Sequence, residues 1–82
     1  MINVGKKTDL SSEEIIKKSI RYFGPSGVGL KLTEKSDCCA RFDGSGGFVS
    51  VQVTETEGEE SDLSILGREF DYQIKNFLKE IT

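Results

Sequence analysis

The feature that most narrows what this chain can fold into is the run Gly47-Phe48-Val49-Ser50-Val51-Gln52-Val53-Thr54-Glu55. Val49, Val51 and Val53 recur at period two, and Phe48, Ser50, Gln52 and Thr54 take the alternate positions. Successive side chains of a strand point to opposite faces, so the run predicts a strand with one buried face and one face turned to water or to a partner. A helical layer on one side of the sheet would cover the valines alone. The 82 residues make one domain, 1–82. A domain this small buries only about two-thirds of its unfolded surface, so its core is thin.

The other strands follow the same logic. Val28, Leu30 and Leu32 alternate with Gly29, Lys31 and Thr33. Cys38, Ala40 and Phe42 alternate with Cys39 and Arg41, and Leu63, Ile65 and Gly67 alternate with Ser64, Leu66 and Arg68. Asp43-Gly44-Ser45-Gly46-Gly47 supplies glycines for a tight reversal, and Glu57-Gly58-Glu59 closes the valine strand. Short connections predict antiparallel neighbours. Ile2 and Val4 suggest a further short strand at the start.

Two segments carry the helical period instead. Ser11 is an N-cap with Glu14 three residues on, and Leu10 and Ile15 stand at the hydrophobic-staple spacing. Ile16, Ile20 and Phe23 form an apolar stripe with Ile15 at its edge. Gly24-Pro25 ends this helix. Phe70, Ile74, Phe77, Leu78 and Ile81 mark a second amphipathic helix. Asp71 in its first turn and Lys79 in its last suit the helix dipole.

The order β-α-β-β-β-β-α predicts an α+β fold in two layers: an antiparallel sheet of four to five strands with both helices on one face. The expected core is Ile16, Ile20, Phe23, Leu30, Leu32, Ala40, Phe42, Val49, Val51, Val53, Leu63, Ile65, Ile74, Phe77, Leu78 and Ile81. The opposite face is left open. It is expected to carry Lys31, Thr33, Cys39, Arg41, Phe48, Ser50, Gln52, Ser64, Leu66 and Arg68, with no acid among them.

Composition bounds the function. With 35% hydrophobic and 30% charged residues the chain reads as globular rather than disordered. No apolar stretch approaches the roughly 20 residues of a membrane span. Residues 1–8 lack the apolar core of a secretory signal, and Met1 reads as the natural start, so the expected location is cytoplasmic. Net charge is -3, but Glu55, Glu57, Glu59, Glu60 and Asp62 crowd one turn. That balance argues against broad nucleic-acid binding.

Chemistry-bearing motifs are sparse. The chain has no histidine, which removes the commonest general base and most zinc ligand sets, so neither catalysis nor a cofactor is expected. Gly24-Pro25-Ser26-Gly27-Val28-Gly29 has the composition of a phosphate loop but leaves a helix for a strand, the reverse of a nucleotide loop. Gly5-Lys6-Lys7-Thr8 lacks the upstream glycine of a P-loop. The loop at 43–47 reads as a hairpin before an anion nest, and the acidic stretch as a solvated turn before a cation site. Cys38 and Cys39 are adjacent, and neighbours on one strand point to opposite faces, so they are expected as reduced thiols. Redox activity or a soft metal is the alternative.

Residues 63–81, in which the last strand runs straight into a helix through Gly67-Arg68-Glu69-Phe70-Asp71-Tyr72, resemble a shortened helix-grip fold of the START and polyketide-cyclase-like type. The glycine-flanked segment 38–53 also resembles small uncharacterised prokaryotic proteins of this length. The resemblance is architectural. It implies binding of a lipid or other hydrophobe and assigns no residue roles.

The leading expectation is a non-catalytic binding or interaction module that self-associates, as a homodimer or with a protein partner, through Arg41, Phe48, Gln52, Leu66 and Arg68. A small apolar ligand between sheet and C-terminal helix is the alternative. Phe42, Val51, Ile65, Ile74 and Phe77 would line its site, with Tyr72 as a polar handle. Single-stranded nucleic acid on the open face, stacked on Phe48, comes third.

Overall fold

The structure is a computed structural model that describes residues 1–56, 58 and 60–81. It contains β1 (Ile2–Thr8), α1 (Ser12–Phe23), β2 (Lys31–Lys35), β3 (Cys39–Gly44), β4 (Gly47–Glu55), β5 (Ser61–Arg68) and α2 (Asp71–Glu80). The sheet runs β1-β5-β4-β3-β2, with every neighbouring pair antiparallel. Strands β2 to β5 form a meander through short turns. The β3–β4 reversal has two residues between the paired Gly44 and Gly47, and Gly46 takes its positive φ of 83°. Strand β1 takes the remaining edge beside β5, so α1 must carry the chain from one edge of the sheet to the other. Twelve helical residues span about 18 Å, and four strand spacings are about 19 Å. The helix is the right length to cross over β4 and β3, on which it packs.

Both helices lie on the inner face. The Ser11 hydroxyl accepts from the Glu14 amide at 3.2 Å and starts α1. Ile15, Ser19 and Phe23, one turn apart along a single row, are wholly buried, with Ile16 beside them at 3% exposure. Ile20, expected at the centre of the stripe, is only half-buried, because the helix is rotated towards Ile15. Ser19 permits that rotation: its hydroxyl donates to the Ile15 carbonyl at 2.8 Å, so burying it leaves no polar group unsatisfied.

Inner-face residues Ala40, Phe42, Val49, Val51, Val53, Leu63 and Ile65 meet Phe23, Ile74 and Phe77 from the helices and Ile81, the residue that caps α2. The Phe23 ring lies 5.7 Å from Phe42 and 5.1 Å from Phe77, centroid to centroid. Leu32 and Leu78 are half-buried at the margin. Gly67, on the inner face of β5, lets α2 approach: a Cβ there would collide with Ile74 Cδ1. Glu69, between β5 and α2, has a φ of 72°, the conformation that reverses the chain from strand into helix.

Two expectations are corrected. Residues 28–30 are not part of a strand. The amides of Val28, Gly29 and Leu30 donate to the carbonyls of Tyr22, Gly24 and Phe23, so this segment caps the C-terminus of α1 and β2 begins only at Lys31. Gly24 is in an extended conformation, and its glycine is required because a Cβ would meet the Ile20 carbonyl. Cys38 likewise precedes its strand, and β3 begins at Cys39. Of the acidic turn, Glu57 and Glu59 lie outside the described residues. Among the described residues no helix is long and apolar enough to cross a membrane.

Candidate functional site

The ladder registers set out the open face of the sheet. Across it run the row Lys31, Asp43, Phe48, Arg68 and the row Arg41, Ser50, Leu66, Asn3, followed by Cys39, Gln52, Ser64, Gly5. Phe48 and Leu66 are therefore diagonal neighbours on adjacent strands, close enough for an aromatic ring and a long aliphatic chain to share one patch. Both are half-buried, as is Arg41, while Gln52 and Arg68 are exposed. All five residues expected to form an interface thus share this face.

The face is not free of acids, contrary to expectation. Asp43 sits between Lys31 and Phe48, with one carboxylate oxygen 3.5 Å from Arg41 Nη2 and the other accepting from the Thr33 hydroxyl at 2.9 Å. The Arg41 guanidinium lies 4.5 Å from the centre of the Phe48 ring, a cation–π contact. Asp43 escaped the sequence reading because it belongs to a glycine-rich turn motif, whereas the strand continues through it to Gly44.

The residues expected to line an apolar ligand site divide differently. Phe42, Val51, Ile65 and Ile74 are wholly buried and Phe77 is 1% exposed, all within one packed cluster. Tyr72 is 73% exposed on α2 and stands outside it. A cleft that the sequence did not reveal lies between the helices, with a volume of about 630 Å³. Tyr22, Val28, Phe77 and Ile81 supply its apolar surface, and Lys18, Arg21 and Glu80 its charge. Burial raises the Tyr22 phenol pKa above its ordinary 10.0; Glu80 and Tyr72 push it the same way, and a hydrogen bond from Asn76 opposes them. The available signal was Tyr22 four residues from Lys18, which puts both on one side of α1.

The loops read as structural elements. In the segment 24–29, the amides of Gly27 and Gly29 both donate to the Gly24 carbonyl, and that of Val28 donates to Tyr22. These N–H groups close the helix end and are not presented to an anion. Among the described residues no group of three or more His, Cys, Asp or Glu is placed to hold a metal ion.

The cysteines overturn the expectation of reduced thiols: Cys38 and Cys39 are joined by a disulfide. The opposite-face argument fails because Cys38 lies in the β2–β3 turn, not in a strand. Cys39 lines a second cleft, of about 530 Å³, beside Lys35, Ser36, Arg41 and Ser50.

Compared with known proteins, the chain matches no protein-family model, no curated protein and no solved structure, so any functional reading rests on these surfaces.

Proposed function

We propose that this protein is a small non-catalytic interaction module that pairs with a second copy of itself through the open face of its sheet. The observation that carries the reading is the asymmetry of the sheet: both helices pack on one side, while the other side holds Phe48 and Leu66 as diagonal neighbours on the two strands β4 and β5. Around them the face bears both signs of charge. Lys31, Arg41 and Arg68 stand with Asp43 and, further along β5, Asp62. A two-fold interface needs a self-complementary surface, and mixed charge around an apolar centre meets that need. Five strands, each about 4.8 Å wide, by seven residues give a face of about 24 by 23 Å, on the order of 550 Å² per copy, at the small end for specific interfaces. The dimer is therefore a weak, concentration-dependent one.

Nucleic acid is disfavoured on the same face. The Phe48 ring, the one aromatic on this face among the described residues, already carries the Arg41 guanidinium, whose charge is shared with Asp43.

Sedimentation equilibrium across a range of concentrations tests the proposal. The wild-type chain is expected to dimerise, and Phe48→Glu and Leu66→Glu to give folded monomers. A wild-type protein that stays monomeric at high concentration, or a dimer indifferent to both substitutions, removes it.

A second reading is favoured by the cleft between α1 and α2. Its apolar surface, with two cations, Lys18 and Arg21, against one carboxylate, Glu80, suits a small apolar ligand carrying an acidic group. A rise in thermal midpoint with added medium-chain fatty acid, abolished by Val28→Asp, is the expected result.

A further inference from the structure

We infer that the Cys38–Cys39 pair is a reversible two-electron thiol–disulfide exchange site whose reductant is a dithiol. Position argues first. The bond joins consecutive residues, so it closes the shortest loop a chain offers and removes little conformational freedom from the unfolded state. It is not needed to hold the turn either. The Ser36 amide donates to the Cys39 carbonyl at 2.8 Å, the Val53 amide donates to the Cys38 carbonyl at 2.8 Å, and Cys39 is registered opposite Gln52. These backbone bonds do not involve the sulfurs, so the turn is expected to keep one backbone course in the oxidised and the reduced forms.

Access and surroundings argue second. Cys38 is exposed and Cys39 half-buried, so an incoming thiolate reaches the Cys38 sulfur more readily. The cleft beside Cys39 is lined by the cations Lys35 and Arg41 together with Glu34. The Ser36 hydroxyl lies 3.5 Å from Cys38 Sγ and can donate a hydrogen bond to a sulfur that has no proton of its own.

The exchange balances without any further reactant. One thiolate of the dithiol attacks Cys38 Sγ, forming a mixed disulfide as the Cys38–Cys39 bond breaks and Cys39 leaves as a thiolate. The second thiol of the reductant, as its thiolate, attacks its own partner sulfur and releases the Cys38 thiolate. The dithiol becomes a cyclic disulfide, the protein gains two electrons, and the two protons of the dithiol end on the two cysteines. The site is separate from the self-association proposed above and does not depend on it.

Dithiothreitol is a suitable probe. Oxidised protein alkylated with excess iodoacetamide at mildly alkaline pH is expected to take up no alkyl groups, and protein first treated with dithiothreitol under native conditions to take up two. Oxidised dithiothreitol in excess should restore the bond within the monomer. The thermal midpoints of the two forms should agree within about 5 °C. Cys39→Ser and Cys38→Ser each leave one thiol; with oxidised glutathione the former, which keeps Cys38, should form its mixed disulfide about fivefold faster. Thiols that stay unpaired in excess oxidised dithiothreitol, oxidation that yields only cross-linked dimers, or a bond reducible only in denaturant would overturn the inference. Equal rates for the two variants would overturn the assignment of Cys38 as the sulfur attacked first.

Discussion

The two faces of the sheet are built from the same five strands, and at β4 from alternate letters of the same nine residues. On the inner face Val49 and Val51 are wholly buried and Val53 nearly so, under two helices. On the outer face Phe48 and Ser50 are half-buried, Gln52 and Thr54 are exposed, and Arg41 pairs with Asp43. A single-residue offset therefore separates the side that holds the fold together from the side available to a partner. The comparison teaches that the same substitution should have different consequences on the two faces: loss of stability inside and, on the proposed self-association, loss of association outside.

Removing an aromatic ring tests this most strongly. Phe42→Ala empties a wholly buried site in contact with Phe23 and should cost about 3–5 kcal/mol, a large part of the stability of a domain this small. Phe48→Ala, on the other face, should cost about 1 kcal/mol or less, chiefly its cation–π contact with Arg41. Urea unfolding measures both, and comparable losses would dissolve the distinction.

Glycines sharpen it further. Gly67→Ala places a methyl against Ile74 and should cost about 1–3 kcal/mol through overpacking. Gly5 faces outward on β1, where a Cβ would make only an ordinary contact 3.6 Å from the Leu63 carbonyl. Gly5→Ala should therefore be neutral or stabilise by up to about 1 kcal/mol, since alanine loses less freedom on folding.

The junction that swings α2 onto the inner face stores strain. Glu69 has a left-handed φ of 72°, so Glu69→Gly should stabilise by roughly 1 kcal/mol, net of glycine's larger entropy loss. A lower urea midpoint in that variant would mean that the Glu69 side chain makes a favourable contact outweighing the strain.

The smallest expected effect is at alkaline pH, where the inner layer meets solvent. The Tyr22 phenol is raised above 10.0 in the fold, chiefly by burial. Its contribution to stability is complete below the unfolded pKa and is lost as pH rises through the higher folded value. Tyr22→Phe should flatten the alkaline limb of the thermal midpoint, and an unaltered limb would exclude Tyr22 as its source.

Much of this architecture was legible in the residues. Period two at Val49, Val51 and Val53 and the helical spacing of Ile74, Phe77 and Ile81 assigned those side chains to the core, where they are buried. The five outer-face positions expected at an interface do share one surface. What escaped reading was decided by segments distant in sequence, or by how backbone donors were used. Residues 28–30 alternate like a strand, yet their amides return to the helix end. Asp43 looks like turn chemistry but pairs with Arg41 inside the ladder.

The sequence by itself determined the two periods, the Ser11 cap, the hairpin glycines and hence an antiparallel sheet with two helices. All of these depend on residues within a turn or two of one another. Only the tertiary structure decided that β1 lies beside β5, that α1 rotates to bury Ser19, that a cleft opens between the helices, and that Cys38 leaves the strand to bond with Cys39. Those outcomes follow from which distant surfaces meet, and from whether each buried polar group finds a partner when they do.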